Sequence, residues 1–175
     1  MQLTIRHTWM SIVFAGAAAY VAAQTSGSKI AEPPRVDSLT NQQAVTTGPG
    51  DPKSWFAIPP DHILWSKNND GSPRENAYLI GQGNKPGLYI QLVRWPPHTT
   101  AAAHSHPDDR YVVVLSGTFY HGRGDKFDAN KLEKRSTGTF FTEPGGVGHF
   151  GATKDEGVVL YFVGTGPSRT DQIEK

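Results

Sequence analysis

The sequence has no cysteine and only two methionines in 175 residues. No disulfide can staple the fold, no thiolate can serve as a nucleophile, and sulfur-ligated zinc sites are excluded. A lipid-modified cysteine near the N-terminus is excluded for the same reason. Charge of one sign is missing too: 17 Lys plus Arg face 16 Asp plus Glu, a formal net charge of +1. That balance provides neither the basic face that nucleic acid requires nor a polybasic membrane patch. Long helical patterns are scarce. Turn formers are abundant instead, with 19 Gly and 13 Pro, and this composition points to an all-β domain.

The N-terminal stretch MQLTIRHTWMSIVFAGAAAYVAAQ places Arg6 and His7 before an apolar run from Trp9 to about Ala19. Val21 and Ala23 fit the −3 and −1 positions of a signal-peptidase site, so residues 1–23 are expected to be a cleaved export signal. The apolar run falls short of the roughly 20 residues of a spanning helix; an uncleaved anchor is the alternative. The expected location is periplasmic or secreted, with no membrane attachment after cleavage. Residues 24–52 are polar and poor in aromatics, and read as a flexible spacer. The folded domain is expected over 53–167, followed by a polar, loosely ordered tail at 168–175.

Within the domain, short β-like segments alternate with Gly and Pro punctuation: HILWS, AYLIG, GLYIQLVRW, AAAHSH, YVVVLSGTFYHG, TGTFFTEP, GHFGAT and GVVLYFVG. In GLYIQLVRW, Leu88, Ile90 and Leu92 share one face, and Tyr89, Gln91 and Val93 the other. Segments spaced by about ten residues suggest a sandwich or barrel rather than a parallel α/β sheet. The charged stretch RGDKFDANKLEKRS reads as a surface loop or hairpin tip. Its RGD triplet is too short to support an adhesion function.

The chemistry concentrates in two places. His104 and His106 are two residues apart, so in a strand both imidazoles face one side. Their Cα atoms would lie about 6–7 Å apart, close enough for both rings to reach one ion at about 2.0–2.1 Å. Pro107 favours an extended backbone at His106. An isolated pair of this kind also fits two surface histidines on an edge strand. The second place is GTFFTEPGGVGHF, residues 138–150, where a strand enters a tight turn at Pro144, Gly145 and Gly146. That turn would bring His149 onto a neighbouring strand, facing the same interior.

These two segments resemble the paired motifs of the cupins. Gly87, His104, His106 and Gly117 stand for the first motif, with Gly117 closing a hairpin. Gly138, Pro144, Gly146 and His149 stand for the second, and Thr153 occupies the place of its usual asparagine. The resemblance spans about residues 55–166, and the wording is also similar to the cupin domain of an anti-sigma factor. It implies a jelly-roll β-barrel of two packed antiparallel sheets, holding one divalent transition metal through His104, His106 and His149. Imidazole ligands leave the ion open among Fe, Mn, Ni, Cu and Zn.

One departure stands out. Most metal-binding cupins carry a glutamate four residues after the second histidine, and that position is Arg110 here. Three readings follow: the histidines alone hold the ion; a bulge lets Asp109 or Asp108 act as the acid ligand; or the metal is lost and the pocket takes an organic ligand. Arg110 either faces the interior, where it needs an anion between itself and the ion, or turns outward to Asp108 or Asp109. His98 and His121 are candidate rim acids or bases. The functional expectation is a metal-dependent, dioxygenase-like enzyme for a small organic substrate, anionic if Arg110 clamps it. The alternative is a non-catalytic binding or sensing module, with an isomerase or lyase as a further option. A homodimer is the one macromolecular partnership expected.

Overall fold

The computed structural model describes residues 44–45 and 49–174. The expected export signal and most of the expected spacer lie outside these residues. Twelve strands are described: β1 Ala44–Val45, β2 Phe56–Ala57, β3 Ser66–Lys67, β4 Glu75–Ile80, β5 Gly87–Trp95, β6 Thr100–Ser105, β7 Arg110–Arg123, β8 Glu133–Ser136, β9 Phe140–Glu143, β10 His149–Ala152, β11 Val158–Gly166 and β12 Asp171–Gln172. HILWS forms only the end of a 3-10 turn at Pro60–His62 and the beginning of β3. Pro60 opens that turn because its fixed φ suits a first helical position.

β7 belongs to both sheets. Its first part, from Arg110, pairs with β11 and β9, and its second part, to Arg123, pairs with β10 and β8. β11 continues through β5 and β4 to β3, while β10 continues through β6 to β12. Two antiparallel sheets thus share one 14-residue strand, and the fold is a cupin jelly roll. Gly117 does not close a hairpin, as the sequence suggested. It sits inside β7 with φ +74, and a Cβ there would lie 2.0 Å from the carbonyl oxygen of Gly157. Only glycine gives the strand this bend at this proximity.

Two irregularities set which side chains face inward. Opposite the bend, Val159 and Leu160 of β11 pair with Ser116 and Val114, so Leu115 is an extra residue. The extra residue reverses the alternation. Arg110, Val112 and Val114 face inside before it, and Phe119 and His121 face inside after it. In β6, His104 is opposite His149 and Ala101 opposite Gly151, three residues against two. Ala101 and His104, of opposite parity, therefore both face the interior.

The apolar core gathers Trp95, Val112, Val114, Phe119, Phe141, Leu160 and Phe162 beneath the cavity. Leu160 is fully buried there. Leu160→Ala is expected to cost about 2–5 kcal/mol in urea denaturation, whereas Leu115→Ala, at a half-exposed site, should stay within about 0.5 kcal/mol.

The tail is tied to β6 through Asp171–Glu174. Asp171 and Gln172 pair with Ser105 and His104, and the amide of Ile173 donates to Ala103. Backbone pairing of this kind leaves no trace in composition.

Candidate metal centre

β6 and β10 lie side by side with His149 directly across from His104, and His106 follows the end of β6. The three rings cluster with centroids 4.6, 5.0 and 5.1 Å apart. Each is at most 9% exposed. Each is also fixed in the same way: Nδ1 of His104 lies 2.7 Å from the carbonyl of Ala102, that of His106 2.8 Å from Arg169, and that of His149 3.0 Å from Val147. A carbonyl only accepts, so every Nδ1 carries the hydrogen and every Nε2 lone pair is free for a ligand. The nitrogens of these three residues lie within 4.8 Å of one another. Nε2 of His149 is buried with no hydrogen-bond partner among the described residues. A buried ring nitrogen left bare is costly unless a cation takes it. This donor set fits a divalent transition metal.

Arg110 faces the interior. Its Nη2 donates to Ser168 Oγ at 2.8 Å, its Nε lies 3.7 Å from Asp108 Oδ2, and its Nη1 lies 4.0 Å from Glu143 Oε2. The choice between inward and outward therefore dissolves, because Asp108 turns inward with it. Asp108 Oδ2 also accepts from the hydroxyl of Tyr89 at 2.6 Å. Burial pushes the Tyr89 phenol up to about 12, so it remains a donor. Asp109 is not brought to the histidines: its Oδ1 accepts from the amide of Gly145 at 2.8 Å, on the surface. Gly146 in the same turn donates to the carbonyl of His106 at 2.7 Å, tying the two motifs together. Thr153, in the place of the usual asparagine, accepts from Thr99 N at 3.0 Å and donates to Pro96 O at 2.6 Å.

His121 and His98 part company. His121 lines the cavity, is 5% exposed, and puts Nε2 3.6 Å from Glu143 Oε1. His98 is exposed in the β5–β6 turn with φ 55, outside the residues that line the cavity. Glu143 was missed by sequence reasoning. It closes β9 one residue before Pro144, and its Oε2 lies 3.6 Å from Nε2 of His149. The signal was present in the alternation: Phe140 and Thr142 face out and Phe141 and Glu143 face in, and a lone acid on a buried face is unusual.

The cavity above these residues has a volume of about 480 Å³. Trp95, Phe119, Leu160 and Phe162 form its apolar wall, while Asn68, Asn69, Asp70 and Arg74 line another part of it. Arg74 lies over the Trp95 ring at 4.9 Å and pairs with Asp70.

Burial holds the rings neutral. It lowers His106 to about 2, helped by the charge of Arg110, and His121 to about 3; His104 and His149 are lowered for the same first reason. Burial pushes the Glu143 carboxyl up, against the pull of Arg110. Unfolded histidines take up protons below about pH 6.5 that the folded, metal-free protein refuses. Their contribution to stability is therefore lost as pH falls through that value. Glu143 has the opposite slope above about pH 4.5, one group against four. The metal-free protein is expected to melt at a lower temperature at pH 5.5 than at pH 7.5; a flat or rising midpoint would contradict neutral buried rings.

Residues 56–169, well over half of the chain, match the family described as the ChrR Cupin-like domain. The chain belongs to that family. Among curated proteins no sequence matches it. Among solved structures, the polyketide cyclase RemF from Streptomyces resistomycificus is similar with a TM-score of 0.61 at 13% identity, over 70% of this chain and 87% of that one. An RmlC-like cupin from Shewanella frigidimarina NCIMB 400 gives 0.51 at 15%, over 64% and 91%. A sugar phosphate isomerase of the cupin superfamily from Silicibacter pomeroyi gives 0.50 at 19%, over 63% and 75%. At these identities the likeness is one of fold.

Proposed function

We propose that this ChrR-like cupin is an exported, metal-dependent enzyme that transforms a small polar molecule, with oxygenation the first reaction to test. The observation that carries the reading is the three histidines, each with a free Nε2, in the wall of a cavity of about 480 Å³. A structural site closes around its ion; a reactive one keeps positions open toward a pocket of this kind. A divalent ion held by His104, His106 and His149 would supply Lewis acidity and open positions for substrate. The chain itself does the rest. Trp95, Phe119 and Phe162 offer an apolar wall that excludes water, and Asn68, Asn69 and Arg74 offer polar contacts that orient a ligand. Arg74 and Arg169, paired with Asp70 and Asp171, are the lining cations that a polar or anionic substrate would meet. The export signal expected over residues 1–23 is part of the same reading.

Elemental analysis of the purified protein, followed by an oxygen-consumption screen over enols, thiols and aromatic acids, tests it. A protein that takes up no divalent metal under any loading condition sinks the reading. One observation favours a second reading, a non-catalytic binding or sensing module. Arg110, close to the histidines, is already engaged by Asp108, Glu143 and Ser168 and is not free to clamp a substrate. Tight ligand binding without turnover by the metal-loaded protein would select this second reading.

A further inference from the structure

Arg110 stands where the family's metal-binding members carry an acid, and the strand opposite returns that acid. Arg110 and Glu143 are direct cross-strand partners on β7 and β9, both facing the cavity. Glu143 is 5% exposed, and Arg110 Nη1 lies 4.0 Å from its Oε2. Its two oxygens each lie 3.6 Å from a histidine Nε2, that of His149 on one side and that of His121 on the other. Both nitrogens are buried without a hydrogen-bond partner. A gap of 3.6 Å is too long for a hydrogen bond. It is close to the separation of two donors sharing one ion, roughly 3.4 Å for two bonds of about 2.1 Å at a tetrahedral angle.

His149 is common to both possible ligand groups, His104 with His106 and His121 with Glu143. Its Nδ1 is held by Val147, so it has one nitrogen to give and the two groups compete for a single ion. The two groups meet at the one free nitrogen of His149. We propose that Glu143 is the carboxylate ligand of the three-histidine ion, delivered from β9 because Arg110 occupies the family's acid position. Arg110 is then a positioning residue, the counter-charge that holds the carboxylate in a dry wall. The interior anion that an inward Arg110 demands is thus the protein's own. This inference rests on the three-histidine reading above.

Cobalt(II) binding to the full chain tests it, by competition with a chromophoric chelator and by the visible spectrum of the bound ion. Glu143→Gln keeps the volume and removes the charge; it is expected to weaken binding at least about tenfold and to change the cobalt bands. The double variant Arg110→Glu with Glu143→Gln, which returns the acid to the other strand, is expected to recover most of the loss. Should Glu143→Gln fail to fold, Glu143→Asp carries the test. It keeps the charge beside Arg110 but withdraws it from His149, and is expected to bind more weakly with altered bands. Unchanged affinity and spectrum in a folded Glu143 variant, with His104→Ala unable to bind, would overturn the proposal and leave Glu143 a counter-ion only. Full binding by His104→Ala would instead overturn the three-histidine reading beneath it. Loss in His121→Ala with retention in His104→Ala would place the ion in the other group.

Discussion

Alanine at His149 is expected to leave the purified protein without bound metal and to abolish any rise in melting temperature on adding divalent ions. This should be the largest effect of any single change at the site. Among the described residues, His149 alone belongs to both groups of donors, so its loss breaks both. Its ring is pre-oriented: Val147 fixes the tautomer, and the cross-strand position opposite His104 fixes its place. Losing even an orienting partner of a ligand typically costs ten- to a hundredfold in affinity, so losing the ligand should cost at least about a hundredfold. A metal present at a hundred times its dissociation constant stabilises the folded state by about 2.7 kcal/mol. The variant should forfeit nearly all of that while its metal-free melting point changes little, because the removed ring borders a cavity rather than the packed core. His98→Ala, at an exposed turn, serves as the control and should bind as the parent does. Stoichiometric metal in His149→Ala would refute the assignment of this centre.

The three histidines were legible because their placement depends on local features: a two-residue spacing and a Pro-Gly-Gly turn. Glu143 was not, because the acid was sought four residues after His106, on β7, and lies on the strand paired with it. Cross-strand register depends on where the chain turns back, which no local pattern records. The inward places of both Arg110 and His121 were hidden for a related reason. Simple alternation along one strand puts residues 110 and 121 on opposite faces, and the extra residue at Leu115 brings them to one. The tail was misjudged from polarity alone, yet Arg169 supplies the carbonyl that fixes His106. Asp109 was one of the candidates for an acid ligand; the amide of Gly145, donating to it, holds it in the turn instead.

The bend that makes this convergence possible predicts the largest loss of stability outside the core. Gly117→Ala meets two penalties. The left-handed conformation at φ +74 costs a residue with a Cβ about 1–2 kcal/mol. The new Cβ would also stand 2.0 Å from Gly157 O and 3.0 Å from Gly157 C, which is backbone and cannot swing aside. Relief requires parting β7 from β11 at Val158, where the sheet carries the core residue Leu160 two positions on. A total of about 3 kcal/mol or more is expected, within the range of overpacked sites added to the conformational term. Against a typical reserve of about 5–15 kcal/mol, this should lower the melting temperature by on the order of 10 °C. Gly138→Ala separates the two causes. Its φ is +85, but nothing lies within 4 Å of the added Cβ, so only the conformational cost applies. The expected order is a loss of about 1–2 kcal/mol at Gly138 and at least twice that at Gly117. Equal losses at the two positions in chemical denaturation would mean that the close approach of β7 to Gly157 does not set the bend. A Gly117→Ala protein that folds but binds metal poorly would show that the same bend, by turning His121 and Arg110 inward together, also shapes the centre.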